Sequence, residues 1–187
     1  MERSRRLFVA VDLPAAVRRH LSSIARGIGG RATPEDQIHV TVRFLGSVAE
    51  PVFEEIRREL ATISIPGFEC RAEGVGRFPP RGAPRVLWAG LSPAEPFRLL
   101  EQEISAALDR IGIAREERPF SPHATLARLR NARPSDANRF LEKNAAYSSE
   151  TFPVREFLLY SSEITPEGAR HTVEARYPLS AGASRRS

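Results

Sequence analysis

Two short segments of the sequence carry the same arrangement of one histidine and one threonine. His39 and Thr41 lie in the segment HVTV, and His123 and Thr125 lie in the segment HATL. Because alternate side chains of a β-strand point to the same face, each segment would present an imidazole and a hydroxyl on one face and aliphatic groups on the other. Two such strands facing each other across a groove would line it with two imidazoles and two hydroxyls.

These four side chains suit the cleavage of a phosphodiester. Histidine serves as an acid or a base near neutral pH, so one imidazole can protonate the leaving alkoxide while the other activates the nucleophile. The hydroxyls can donate hydrogen bonds to the non-bridging phosphate oxygens. We therefore predict His39 and His123 as catalytic residues and Thr41 and Thr125 as phosphate ligands, with neither a metal ion nor another cofactor. The alternative is that both histidines only bond to the backbone at strand ends, since a single His-x-Thr is a weak motif.

Two arginines follow the motifs and are candidate phosphate ligands, because a guanidinium can hold a phosphate through two hydrogen bonds. Arg43 comes four residues after His39 and shares its face on an ideal strand. Arg128 comes five residues after His123 and lies on the opposite face unless a bulge or bend turns it into the groove. A solvated surface charge is the alternative for each of them.

Among the aromatic residues, Phe78 is the best candidate for stacking on a base, because it lies in a loop rich in glycine and proline. Phe44 and Phe120 fit core positions better. Of the other two histidines, His20 fits a solvated helix flank, and His171 directly precedes a threonine, which is the wrong spacing for the motif. The four histidines include no i,i+4 pair, so no metal site is predicted.

The composition is that of an ordinary globular protein. The chain has 187 residues, 41% of them hydrophobic and 27% charged, which is enough for one domain with a substantial core. Its 28 basic and 23 acidic residues give a formal net charge of +5, which favours polyanionic partners but also fits a solvated arginine-rich surface. The single cysteine, Cys70, excludes a disulfide within the chain. No signal peptide or membrane span is evident, so we expect a cytoplasmic protein.

Hydrophobic periodicity places the motifs within alternating strands and helices. Strands are predicted at residues 7–11, 38–45, 68–75, 85–91, 123–126, 154–161 and 171–179. Helices are predicted after Pro14, after Pro51, after a capping box at residues 92–95, and near residues 135–144.

The order of these elements predicts an α+β fold with two pseudo-symmetric lobes, each an antiparallel sheet flanked by helices, around a central cleft. The two motif histidines are 84 residues apart, close to half the chain. We expect residues 1–180 to form one bilobal domain and residues 181–187 to be a disordered basic tail.

The motifs and their neighbours resemble the RNA 2′,3′-cyclic phosphodiesterases, the bacterial and archaeal 2′–5′ RNA ligase family of two-histidine phosphoesterases. The resemblance runs from about residue 6 to residue 179, nearly the whole chain. It is carried by RLFVAVDLP at 6–14, HVTVRFLG at 39–46, RVLWAG at 85–90, PFSPHATLAR at 119–128 and LYSS at 159–162. Two positions depart from the family pattern: many relatives carry a tryptophan where this chain has residues 31–34, and many carry a tyrosine where His171 stands.

The resemblance implies a two-lobed fold and metal-free hydrolysis of a terminal 2′,3′-cyclic phosphate to a 2′-phosphomonoester. By the family pattern, His39 protonates the departing 3′ oxygen and His123 activates water. Thr41 and Thr125 hold the phosphate, and Arg128 matches a family arginine. Run backwards, the same geometry joins a 2′-phosphate end to a 5′-hydroxyl end.

Three functional hypotheses follow. The first is an enzyme acting on RNA ends or nucleoside cyclic phosphates, as a monomer. The second is a phosphodiesterase for another small cyclic phosphate or a 2′–5′ oligonucleotide, because the motifs do not select among these substrates. The third is a basic RNA-binding module without turnover, whose affinity for RNA would fall steeply with salt.

Overall fold

The computed structural model describes residues 4–26, 28, 30–130, 133–166 and 168–181. The predicted disordered tail therefore lies outside the described residues, apart from its first residue. None of the described helices is long and apolar enough to cross a membrane.

The chain forms nine strands, four α-helices and one short 3-10 helix within the described residues. The strands are β1 Ser4–Asp12, β2 Arg31–Ala32, β3 His39–Ala49, β4 Phe68–Phe78, β5 Val86–Ser92, β6 His123–Arg128, β7 Phe152–Val154, β8 Glu156–Thr165 and β9 Gly168–Pro178. The helices are α1 Ala15–Ile24, α2 Glu50–Leu60, α3 Glu95–Asp109 and α4 Pro134–Lys143, and the 3-10 helix spans Glu35–Gln37.

The strands form one antiparallel sheet with the order β7-β4-β5-β6-β3-β1-β8-β9, and β2 pairs with β6 outside this path. The two motif strands, β3 and β6, meet at the centre through the residue pair Val40 and Ala124. One half of the sheet comprises β7, β4, β5 and β6, and the other comprises β3, β1, β8 and β9, so each half has its motif strand at the inner edge. The predicted α+β fold with two similar halves is confirmed, although the halves are joined into one continuous sheet.

The helices cover one face of the sheet and leave the other face open at the motifs. In α3 the side chains of Phe97, Leu100, Ile104 and Leu108 recur every three or four residues and are fully buried, with α3 packing against β3 and α2. The motif strands direct Val40 and other aliphatic side chains into this core. The polar motif residues therefore lie on the opposite, open face.

Several predicted boundaries differ from the structure. β3 continues to Ala49 and β4 to Phe78, beyond the glycines at which the sequence suggested an end. The predicted capping box is wrong, because Ser92 ends β5, while α3 begins at Glu95 with Ala94 as a cap that makes no side-chain hydrogen bond. The two-residue strand β2 was not predicted, since it is too short to show an alternating pattern.

Candidate active site

The residue pair Val40 and Ala124 brings the two motifs together on one face of the sheet. Both residues are fully buried, whereas the histidine and threonine on either side of each are half-buried. Continuing this antiparallel register by one residue places His39 opposite Thr125 and His123 opposite the threonine of the first motif. The two histidines are then diagonal neighbours, with side chains roughly 7 Å apart at their bases, which is a spacing that can bracket one phosphate.

Each motif histidine is held by the backbone of the residue two positions before it. Nδ1 of His123 lies 2.7 Å from the carbonyl oxygen of Ser121, and the backbone of Gln37 bonds to the ring of His39 in the same way. A carbonyl can only accept a hydrogen bond, so Nδ1 of His123 carries a proton. The other nitrogen, Nε2, then has a free lone pair in the neutral ring, as a general base requires.

The first motif shows direct contact between its two polar side chains. Nε2 of His39 lies 3.1 Å from Oγ1 of Thr41, so the imidazole and the hydroxyl share one face of β3, as predicted. Removal from water is unfavourable for the charged imidazolium, and this effect lowers the pKa of His39 to about 4. Nearby His171 lowers it further, while the Gln37 carbonyl opposes the change.

The pKa of His123 is also lowered, first by burial and then by the positive charge of Arg128, with the Ser121 carbonyl acting in the opposite direction. Both imidazoles are therefore neutral near pH 7 in the ligand-free protein. A bound phosphate anion favours the imidazolium form, so it would raise both pKa values and allow one ring to carry the proton that an acid must donate.

A β-bulge in each motif strand decides which of the following residues reach the cleft. Thr125 pairs with Trp88 and Ala127 with Leu87, so the intervening Leu126 has no partner on β5. β3 has the same irregularity against β1, again three residues after the motif histidine. Each bulge shifts the alternation of faces by one position, and both strands show the same order of buried and exposed residues.

The bulge in β6 turns Arg128 toward the face of His123. Arg128 is exposed, and its guanidinium is close enough to His123 to lower the pKa of that imidazole. Arg128 therefore lies on the cleft side although it comes five residues after His123, because β6 contains the bulge that this placement requires.

The bulge in β3 turns Arg43 away from the cleft. The predicted place of Arg43 beside His39 is therefore wrong. Arg43 is 2% exposed and points into the core, where its guanidinium bonds to the hydroxyl of Ser105 and the carbonyl of Ala114. Phe44, the next residue, occupies the position equivalent to Arg128 and is 57% exposed, so its predicted core position is also wrong. The carboxylate of Glu116 accepts a hydrogen bond from the Phe44 backbone N–H at 2.9 Å.

Aromatic rings surround both histidines. The ring of Phe78 meets the His123 ring edge-on with centroids 5.1 Å apart, and Trp88 lies 6.1 Å from the same ring. Phe78 thus lies beside His123, and its stacking on a base stays a prediction, whereas Trp88 was not identified as a site residue. Gly76 makes room for this cluster, because a Cβ there would overlap the Trp88 ring.

The surroundings of His39 include two residues that sequence spacing did not identify. The rings of Phe8 and His39 are stacked with centroids 5.1 Å apart, and Tyr160 stacks on Phe8 at the same distance. The His171 ring lies 5.5 Å from His39, edge-on. Tyr160 and His171 come from β8 and β9, and only the order of the strands brings them to the cleft. The hydroxyl of Tyr160 donates a hydrogen bond of 2.8 Å to Asp12.

An open cavity of about 500 Å³ lies beside His39, which is large enough for a nucleoside-sized ligand. It is lined by Asp36, Gln37, His39, Tyr160, Thr165, Gly168, Ala169, Arg170, His171 and Val173. The histidine of the first motif therefore borders a cavity that could hold a ligand.

Comparisons of the sequence and of the structure with known proteins indicate the same family. The family model of the 2′-5′ RNA ligase superfamily matches residues 13–164. The RNA 2′,3′-cyclic phosphodiesterase of Archaeoglobus fulgidus is 34% identical over 87% of this chain and 94% of its own length. The enzyme of the same name from Thermus thermophilus is 33% identical over 93% of this chain and 90% of its own.

Two solved structures are also similar over nearly their whole length. The protein TT0787 of Thermus thermophilus has a TM-score of 0.80 and 30% identity, covering 95% of this chain and 99% of its own. LigT of Escherichia coli in complex with 3′-AMP has a TM-score of 0.77 and 26% identity, with the same coverage.

Proposed function

This chain belongs to the 2′-5′ RNA ligase superfamily, and we propose that it hydrolyses the terminal 2′,3′-cyclic phosphate of RNA to a 2′-phosphomonoester. The observation that carries this proposal is the pairing of Val40 with Ala124, which sets the two His-x-Thr motifs side by side on the open face of the sheet. The names of the relatives in Archaeoglobus fulgidus and Thermus thermophilus support the same reaction.

The proposed reaction is a direct displacement at phosphorus. His123 accepts a proton from water through Nε2, and the water oxygen attacks the phosphorus. The bond between phosphorus and the 3′ oxygen breaks, and His39, protonated when the phosphate anion is bound, gives its proton to that oxygen. The 2′ oxygen keeps the phosphate, so the product is a 2′-phosphomonoester with a free 3′ hydroxyl.

The remaining polar groups stabilise the charge that grows on the phosphate oxygens during the displacement. Thr41 and Thr125 flank the histidines on the same face and donate from their hydroxyls. Arg128 reaches the same face through the bulge in β6 and supplies positive charge near His123. Because these side chains provide the acid, the base and the phosphate donors, we propose that the reaction needs no metal ion.

The test uses a nucleoside 2′,3′-cyclic phosphate as substrate, with and without EDTA. We expect full activity with the chelator, a product phosphorylated at the 2′ position, and a loss of kcat of about 10² to 10⁴ in His39→Ala and in His123→Ala. Full activity in either variant, a 3′-phosphate product, or loss of activity with EDTA would contradict the mechanism.

A panel of substrates separates the proposed function from its alternatives. The panel includes an RNA with a cyclic end, other small cyclic phosphates and a 2′–5′ oligonucleotide, and the preferred substrate has the highest kcat/KM. Binding of RNA without any turnover would support the non-catalytic alternative. The E. coli LigT complex with 3′-AMP supports a nucleotide as the ligand.

We also propose that the reverse reaction joins a 2′-phosphate end to a 5′-hydroxyl end. We further propose that the protein acts as a monomer in the cytoplasm, where RNA is processed.

A further inference from the structure

A group of arginines at one end of the sheet lacks acidic partners. Many arginines elsewhere are paired with carboxylates, such as Arg57 with Glu54 and Arg176 with Glu156. Arg31, Arg85, Arg128 and Arg130 are all exposed, and no carboxylate of the described residues lies within 4.0 Å of their charged nitrogens. The positive charge at this end is therefore not neutralised by the protein itself.

Strand pairing holds these four arginines close together. Arg31 of β2 lies directly opposite Arg128 of β6, and Arg128 lies opposite Val86 at the start of β5. The carbonyl of Arg85 accepts a hydrogen bond of 2.8 Å from the N–H of Leu129, the residue between Arg128 and Arg130. Three adjacent strands span roughly 10 Å, so these four exposed residues lie close together at this end of the sheet.

The close placement of these arginines lowers the stability of the folded protein unless an anion binds between them. Like charges directly opposite each other on neighbouring strands destabilise a sheet. In the pair Arg31 and Arg128, no carboxylate of the described residues lies within 4.0 Å of either guanidinium. A guanidinium pair suits phosphate groups, each of which can accept two hydrogen bonds from one guanidinium.

The group also adjoins the cleft. The guanidinium of Arg31 lies against Gly168, the first residue of β9, where a Cβ would overlap it. Gly168 lines the cavity beside His39. From His123 to Arg128, β6 runs about 16 Å along the sheet, which leaves room for more than one nucleotide between the catalytic centre and the strand end.

We propose that Arg31, Arg85 and Arg130 form a track that binds the phosphates of RNA nucleotides upstream of the cyclic end. This inference rests on the proposed function and extends its site. Phe78 borders the track, because its carbonyl accepts a hydrogen bond of 2.8 Å from the N–H of Arg85, and its ring can stack on a base. Contacts to phosphate position a nucleic acid without reading its sequence, so the track favours longer RNA over single nucleotides regardless of sequence.

The test compares two double variants with equal loss of charge. Arg31→Gln/Arg85→Gln removes two arginines of the track. Arg58→Gln/Arg155→Gln removes two exposed arginines from α2 and from the segment between β7 and β8, which also lack a carboxylate partner among the described residues. Each variant is assayed with a nucleoside 2′,3′-cyclic phosphate and with an oligoribonucleotide that ends in the same group.

We expect the track variant to lose about tenfold in kcat/KM on the oligonucleotide at low salt and less than twofold on the nucleoside substrate. The slope of log(kcat/KM) against log salt should become shallower by about 1.4, or 0.7 for each phosphate that the variant no longer binds. The control variant should behave like the unmodified protein, and Arg31→Lys/Arg85→Lys should keep most of the oligonucleotide activity. Equal losses on both substrates, or equal losses in the two double variants, would overturn the track.

Binding of the same oligonucleotide, measured by fluorescence anisotropy, tests the track independently of turnover. If the unmodified protein hydrolyses neither substrate, the proposed function fails. In that case the proposal that the track binds RNA is still supported if the affinity for the oligonucleotide falls about tenfold in the track variant only. It is refuted if affinity is unchanged in that variant.

Discussion

The environment of His39 predicts an acid destabilisation that this one side chain causes. The pKa of His39 is lowered from its ordinary value of 6.5 to about 4, chiefly because the ring is removed from water. Below pH 6.5 the unfolded chain therefore takes up a proton at this position, while the folded protein does not do so until about pH 4. The contribution of His39 to stability is unchanged above pH 7 and falls as the pH drops toward 4.

The size of this effect follows from the two pKa values. The full difference corresponds to about 3 kcal/mol below pH 4, and about 2 kcal/mol of it is lost by pH 5. The perturbation is His39→Asn, which removes the titrating ring and keeps a polar side chain. Unfolding by urea at pH 7 and pH 5 can be followed through Trp88, the single tryptophan of the chain.

We expect the free energy of unfolding of the unmodified protein to fall by about 2 kcal/mol more than that of His39→Asn between these two pH values. His20→Asn, which removes an exposed histidine of α1, is the matched control. Equal losses of stability in His39→Asn and the unmodified protein on acidification would contradict this prediction, because the burial of His39 would then impose no cost on its charged form.

Three further predictions concern catalysis and the core. Because the pKa values of His39 and His123, the proposed acid and base, are lowered in the free protein, kcat/KM should follow a bell-shaped curve centred below pH 6.5. The curve for kcat should lie at higher pH, because the bound phosphate raises both pKa values; a kcat/KM optimum above pH 7 would contradict this. The double variant His39→Ala/His123→Ala should lose no more activity than the more damaging single variant, since both groups act in one step, whereas independent roles would multiply the losses. Arg43→Met should reduce the free energy of unfolding by about 2 to 4 kcal/mol in chemical denaturation, since it removes the donor to the buried Ser105 hydroxyl and the ion pair with Glu101. It should leave KM for a nucleoside cyclic phosphate unchanged; a raised KM at unchanged stability would instead place Arg43 in the cleft.

The strand period of two was sufficient to predict which motif residues face the cleft. His39 and Thr41 share a face because they are two positions apart, and nothing between them interrupts the strand. The alternation of strands and helices along the chain also predicted two similar halves. These parts of the site depend on local pattern, and so the sequence contains them.

The same rule misplaced Arg43 and Phe44 because a bulge adds one residue that the pattern does not mark. A signal was available in the second motif. Arg128, which the family pattern places at the phosphate, comes five residues after its histidine, and by symmetry the fifth residue after His39 is Phe44. His171 and Trp88 could not be assigned by spacing, because their closeness to the histidines depends on pairing between strands distant in sequence.

An NMR titration of the histidine rings shows whether His39 and His123 act on one phosphorus atom, as the proposed mechanism requires. A nucleoside 2′-monophosphate, the proposed type of product, is added to protein labelled with 15N at its histidines, and His39→Asn and His123→Asn assign the two signals. Both imidazoles should shift together with a single Kd, and both pKa values should rise on binding. A response of one ring alone, or two different Kd values, would show that the two histidines do not share a ligand.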